Sequence, residues 1–181
     1  MKLPISEKYF ISDINDKDKP AYIEHLKEKQ IYDQTLVIPF PYTEVEADAW
    51  LKFVGEITKT QGRSVTWAIR NSDGYLIGGI GFHDLAIGKS HRAELGYWIA
   101  KPYWGQGIMT EAVKLVTEFG FHEFGLIKVS AIIFPFNTAS GRVLEKAGFQ
   151  PEGYLRKHYQ KDGKILDGKV YAKLHDDYPA L

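Results

Sequence analysis

Hydrophobic and polar positions along the 181-residue chain follow two periods, and the switch between them marks out the elements. Glu7 to Ile14 alternates enough for a first strand. Asp16-Lys17-Asp18 with Pro20 predicts a helix start, since proline suits a first turn, and Tyr22, Ile23 and Leu26 give that short helix a buried side. Ile31 to Tyr42 holds Pro39 and Pro41 and reads as an irregular connection. Thr43, with Glu46 three residues on, forms a capping box. Behind it Trp50, Phe53, Val54 and Ile57 line one face of a helix that stops near Gln61-Gly62. Three strands follow, Ser64 to Arg70, Tyr75 to Leu85 and His91 to Ala100, joined by polar turns at Asn71-Ser72-Asp73-Gly74 and around Gly88-Lys89-Ser90. Gly78-Gly79 and Gly81 in the second of them suggest a bulge or a close backbone approach.

The period then changes sharply. Ala93 to Thr110 reads AELGYWIAKPYWGQGIMT, a strand pattern running into a turn with glycines at Gly105 and Gly107. Ala112, Leu115, Val116 and Phe119 follow at i, i+3, i+4 and i+7, so a helix spans Gly107 to Phe124. Ile127 to Phe134 is β-branched and apolar, a buried strand that the helical crossover sets parallel to the one before it. Asn137 to Ala147 is a helix with Asn137 as N-cap and Gly148 as its stop. Phe149 to Gln160 and Lys164 to Leu174 are strands joined by the hairpin turn Lys161-Asp162-Gly163. The order is β-α-α-β-β-β-α-β-α-β-β, with no repeat or linker, so residues 1–181 are expected to form one domain.

Two consequences bear on function. A glycine turn opening a helix leaves the first amides unpaired and pointing outward, beside the positive end of the helix dipole, which seats a phosphate or pyrophosphate. At this turn there is neither GxGxxG nor the Gly-Lys-Ser/Thr of a phosphate loop, so backbone amides must do that work. Parallel strands that part near their ends also open a groove whose unpaired main-chain groups accept an extended, amide-bearing ligand.

Composition narrows the classes. Formal net charge is +0, which gives no bulk attraction to nucleic acid or to an anionic membrane. No apolar stretch is long enough to span a bilayer, and MKLPISEKYF lacks the apolar core of a signal peptide, so a cytoplasmic protein is expected. Without cysteine there is no disulfide, thiolate metal site or cysteine nucleophile. The six histidines show no ligand spacing, so no metal is expected.

Three separated motifs carry a resemblance: AELGYWIAKPYWGQGIMTEAV, then FNTASGRVLEKAGF, then Gly153 and Arg156 with the Asp162-Gly163 … Asp167 run. In this order they resemble the GNAT superfamily of acetyl-CoA-dependent N-acetyltransferases, and the Rim-type branch in particular. The resemblance implies an α+β fold: a mixed, mostly antiparallel seven-stranded sheet flanked by four helices and split between strands 4 and 5. Acetyl-CoA would lie in the split, with pantetheine amides on backbone around Trp98 and Ile99. Its pyrophosphate would sit on the Gly105 turn, on amides of Gln106, Gly107, Ile108, Met109 and Thr110, helped by the Thr110 hydroxyl. Relatives often carry Gln or Arg where Trp104 stands and Gly or Ala where Met109 stands.

The resemblance also singles out catalytic positions. Glu94 shares a strand face with Gly96 and Trp98, beside the groove, and is the candidate base for a protonated alkyl amine; a solvated edge carboxylate or an ion pair with Arg92 is the plain alternative. Asn137 doubles as N-cap and as a pantetheine contact. Many members carry a tyrosine acid seven residues after this Asn; here that residue is Leu144, so Ser140, one turn into the helix, is the candidate for protonating the leaving thiolate. His83 and Tyr154 are candidates for lining the acceptor side. The implied activity is direct acetyl transfer to a primary amine, a protein N-terminus or a small molecule. A non-catalytic acyl-CoA-binding or sensor module is the rival, supported only by Leu144. A homodimer through the last hairpin is left open.

Overall fold

The computed structural model describes residues 2–175; Met1 and the end of the expected 1–181 domain lie outside the described residues. The elements are β1 (Lys2–Pro4), β2 (Tyr9–Asp13), α1 (Lys19–Leu26), α2 (Lys29–Gln34), α3 (Glu44–Gln61), β3 (Thr66–Asn71), β4 (Leu76–His83), β5 (Arg92–Ile99), α4 (Ile108–Phe124), β6 (Lys128–Ile133), α5 (Thr138–Lys146), β7 (Gln150–Lys161) and β8 (Lys164–Leu174). They build one mixed sheet in the order β1-β2-β3-β4-β5-β6-β8-β7. Every neighbouring pair is antiparallel except β5 and β6.

Two expectations are corrected in detail. Among the described residues the sheet has eight strands rather than seven, because Lys2–Pro4 pairs with β2. A three-residue segment with one apolar residue and a closing proline leaves no period to read. Five α-helices stand where four were expected, because Lys29–Gln34 forms across the start of the stretch read as irregular from Ile31. That helix is six residues long and buries only Ile31; Glu28 caps it by accepting from the Gln30 amide. Neither addition alters the ordering of the other elements.

The sheet separates two cores. On one face α4 and α5 cover Trp67, Ile69, Ile80, Phe82, Ala93 and Leu95. The first turn of α4 contributes Ile108, Met109 and Thr110, all buried, so the glycine turn is held by its side chains and not by the amides. On the other face Tyr22, Leu26, Ile31 and Ala47 from α1 to α3 pack over Ala68 and Leu76, with Trp98 against the cluster. Asp18, at the start of α1, is locked to Arg70 of β3 by two hydrogen bonds of 2.6 and 2.8 Å, both side chains almost fully buried. The capping box at α3 forms as expected: Val45 N–H donates to Thr43 Oγ1 and Thr43 N–H to Glu46 Oε2. Gly62 closes the helix in the left-handed region at φ 74°.

Candidate active site at the split between β5 and β6

The site begins where a ladder stops. β5 and β6 pair only as Arg92–Lys128, Ala93–Val129 and Glu94–Ser130. Beyond that rung β5 continues along β4 to Ile99 while β6 stays with β8. The expected split between the fourth and fifth strands is therefore present, numbered β5 and β6 here because of the additional first strand. Ile127 N–H donates to the His91 carbonyl and Ala100 N–H to that of Ile77, both at 2.8 Å. By strand alternation, Tyr97 and Ile99 turn their main-chain groups into the opening, while Glu94, Gly96 and Trp98 turn theirs to β4. Of the two expected backbone contacts, Ile99 faces the gap and Trp98 is paired with Gly79 across the antiparallel ladder. The Ile99 carbonyl is already taken by Trp104 Nε1 at 2.8 Å, which ties the following turn back to the strand.

That turn suits an anion. Gly105 and Gly107 both sit in the left-handed region, at φ 74° and 78°, where a β-carbon is strained. Gly107 is the N-cap of α4 and supplies no side chain, and the first helical bond runs from Glu111 N–H to Gly107 O. The amides of Ile108, Met109 and Thr110 thus lack intrahelical acceptors. The Thr110 side chain is buried, so this residue faces the split chiefly through its backbone. Gln106 is held by Tyr9 Oη donating to its Oε1 at 3.2 Å and by its own Nε2 donating to the Pro102 carbonyl at 2.9 Å.

Side-chain alternation divides the catalytic candidates between the two faces. Glu94, Gly96 and Trp98 face the side covered by α1 to α3; Tyr97 faces α5. Glu94 is half-buried, and burial pushes its carboxyl above the ordinary 4.5, reinforced by Asp84 and opposed by His158 and Arg92. His83 is its cross-strand partner. The His83 ring lies over Gly96, where a β-carbon would come within 2.4 Å of Nε2. Although His83 is an exposed residue, desolvation of its ring among these neighbours lowers the imidazole from its ordinary 6.5, so the neutral form predominates near pH 7. Across the gap Tyr159 of β7 faces the same side, and burial and Glu94 push its phenol up to about 12.

On the other face Ser140 Oγ lies 2.7 Å from Tyr97 Oη. Asn137 caps α5 by accepting from Ser140 N–H at 3.1 Å, and its Nδ2 donates to the Gln34 carbonyl at 3.3 Å. One side chain therefore joins the start of α5 to the end of α2. Leu144 is fully buried in the core.

Tyr154 is not brought to Glu94. Leu155 and Gly168 share the Glu94 face with Ile132 and Tyr159, so Tyr154 turns the other way. Its phenol donates to Asp167 Oδ2 at 2.8 Å while Asp167 Oδ1 accepts from Lys157 N–H at 2.7 Å. Lys157, at φ 53°, is the bulge of β7 between Leu155 and Tyr159. Asp167 thus pins the bulge that redirects His158 and Tyr159. Asp162 accepts from Tyr32 Oη at 2.5 Å, and Lys161 Nζ donates to the carbonyls of Tyr32 and Thr35, so the hairpin end carries the α2 segment. Tyr97, Tyr159, Asp84 and Lys161 are the residues sequence reasoning missed. Alternation along AELGYWI already set Tyr97 opposite Glu94, but its partner Ser140 is 43 residues away.

A parallel pair that forks, with a glycine turn and helix start at its mouth, is the scaffold of an acetyltransferase class. The sequence matches the acetyltransferase (GNAT) domain over residues 10–150, and the chain belongs to that family. It is 42% identical over 111 residues to the uncharacterized N-acetyltransferase YoaA of Bacillus subtilis, covering 61% of this chain and 62% of that protein. The match to the [ribosomal protein uS5]-alanine N-acetyltransferase of Escherichia coli is 29% over 103 residues, 57% of this chain and 53% of that one. The chain thus spans about three fifths of the length of the first of these relatives and about half of the second. The crystal structure of a GNAT-family acetyltransferase from Bacillus anthracis superimposes with a TM-score of 0.79 at 26% identity, over 96% of this chain and 98% of that one. The ribosomal L7/L12 alpha-N-protein acetyltransferase RimL in complex with coenzyme A shares the fold at 0.86 and 18%, over 97% and 99%. Among the described residues no helix is long and apolar enough to cross a membrane.

Proposed function

We propose that the protein transfers acetyl from acetyl-CoA directly to a primary amine. One observation carries the reading. The last β5–β6 rung sets Glu94 at the fork, on the face opposite the Tyr97–Ser140 hydroxyls, so a thioester in the gap has a base on one side and hydroxyl donors on the other. The free amides of Ile108 to Thr110 suit the pyrophosphate, and Tyr97 and Ile99 suit the pantetheine amides. The residues present therefore fit the group.

The acceptor attacks as the neutral amine, its ammonium proton having passed to solvent, and Glu94, through water, takes the second proton as the N–C bond forms; its raised pKa brings it closer to the task. Asp84 adds negative charge that draws a cationic amine to the mouth. His83, neutral, and Tyr159 line the acceptor's path. Ser140 meets the departing sulfur. With no cysteine to carry an acyl group, a ternary complex is the economical route. The non-catalytic alternative rested on Leu144, and Leu144 fills core while two hydroxyls stand one turn earlier.

The test is a thermal shift with acetyl-CoA followed by a free-thiol assay against amines, including peptides with free N-termini, polyamines and amino sugars. A shift with thiol release for one class supports the reading and names the acceptor. No shift at saturating acetyl-CoA would overturn it.

A further inference from the structure

A serine hydroxyl is a much weaker acid than a thiol, whose pKa is about 8.5. Ser140 therefore cannot hand its proton over to a thiolate and remain an alkoxide; what it can do is donate a hydrogen bond. For that its hydrogen must point into the split and not along the helix, where Ser and Thr hydroxyls readily bond back to a carbonyl.

Tyr97 supplies the constraint. Its hydroxyl stands 2.7 Å from Ser140 Oγ and 3.4 Å from the Ser140 carbonyl, and it arrives from β5, three residues past the rung at which β6 departs. If Tyr97 donates to Oγ, the serine's own hydrogen is left for a third partner. We propose that Tyr97 is a positioning residue: its phenol donates to Ser140 Oγ, which aims the serine hydroxyl at the leaving sulfur so that CoA departs as a hydrogen-bonded thiolate. This rests on the acetyl-transfer reading of the same site.

The balance is simple. The amine nitrogen bonds to the acetyl carbon, the C–S bond breaks, and its electron pair goes to sulfur. The amine's proton goes to Glu94 through water. Ser140 and Tyr97 both keep theirs, and burial, which raises the Tyr97 phenol's pKa, keeps it a donor throughout. The remaining titratable group beside Tyr97 is Tyr171, whose phenol is spent on Glu145 Oε1 at 3.3 Å.

The direct test titrates the thiol of bound CoA by thiolate ultraviolet absorbance, with the desulfo-CoA complex subtracted. In the wild type the thiol titrates below free CoA. Ser140→Ala raises its pKa by about one unit, the size of one hydrogen bond to a charged group. Tyr97→Phe gives part of that rise, and adding it to Ser140→Ala gives no more. Ser140→Thr, which keeps the hydroxyl, retains the low value. In turnover Tyr97→Phe lowers kcat about three- to tenfold with unchanged acetyl-CoA affinity. If Ser140→Ala leaves the thiol unmoved, the role of Ser140 itself fails. If Ser140→Ala moves it while Tyr97→Phe does not, or the two effects add, only the positioning role of Tyr97 fails.

Discussion

Glu94 stands opposite Ser130 in the last rung that joins β5 to β6. One residue earlier it would be fixed inside a continuous sheet; farther along it would lie past the fork. At the fork its side chain is half-buried beside Asp84, and three residues on the Tyr97 main chain turns into the split.

Glu94→Gln should lower kcat/KM about 10²- to 10³-fold without weakening acetyl-CoA binding. The wild-type pH profile should show an acidic limb above pH 4.5, because the base acts deprotonated and its pKa is raised. That limb should vanish in the variant. The linkage has the opposite sign for stability. A carboxyl with a raised folded pKa favours the fold below its unfolded value and loses that contribution as pH rises through the folded one. Glu94→Gln should therefore raise the unfolding free energy slightly at neutral pH, by ~1 kcal/mol or less for a half-buried group that solvent still screens. Unchanged kinetics would remove Glu94 from the mechanism.

Gly96→Ala should collide with His83, whose Nε2 lies 2.4 Å from the new methyl position. Because His83 is exposed and its ring can swing aside, we expect a loss of about 1 kcal/mol in unfolding free energy, the low end of overpacking costs. The same change in a His83→Ala background should cost far less. Equal costs in both backgrounds would mean that the imidazole does not occupy that space.

Gly107→Ala forces a side chain into φ 78° at the helix start. It should cost about 1–2 kcal/mol, read as a drop in Tm, and it should shrink the stabilisation by acetyl-CoA as the amides tilt. A full ligand-induced shift in this variant would place the pyrophosphate elsewhere.

Asp18→Ala should leave the buried Arg70 guanidinium without its carboxylate and destabilise by about 3–5 kcal/mol. Denaturant unfolding measures it. A cost under about 1 kcal/mol, the range of surface pairs, would show that water reaches the guanidinium.

Lys161→Met should free the α2 segment from the hairpin end, since the ammonium holds the Tyr32 and Thr35 carbonyls. The acceptor KM should rise about three- to tenfold while acetyl-CoA affinity holds. An effect on acetyl-CoA alone would show that this strap serves the cofactor side.

Much of this was legible along the chain because it is local. The capping box at Thr43 and Glu46, the glycine turn before α4 and the Asn137 cap are each fixed within a few residues, by hydrogen-bond reach and allowed φ. Alternation put Glu94, Gly96 and Trp98 on one face before any strand partner was known. β1 and α2 escaped because a three-residue strand and a six-residue helix hold less than a full hydrophobic period. What only the tertiary structure decided is which distant groups meet. Ser140 faces Tyr97, Asn137 reaches Gln34, Asp167 pins a bulge that brings Tyr159 toward Glu94, and Tyr154 is carried to the other face. In β7 one extra residue between Pro151 and Gly153 reverses the side-chain sense, and two extra residues between Leu155 and Tyr159 return Tyr159 to the face of Leu155. The sequence by itself determined most of the elements, their order, and the strand face on which Glu94 stands as a candidate base. Which distant side chains meet, such as Tyr97 with Ser140 and Tyr32 with Asp162, came from packing across 43 and 130 residues of chain, which no local pattern encodes.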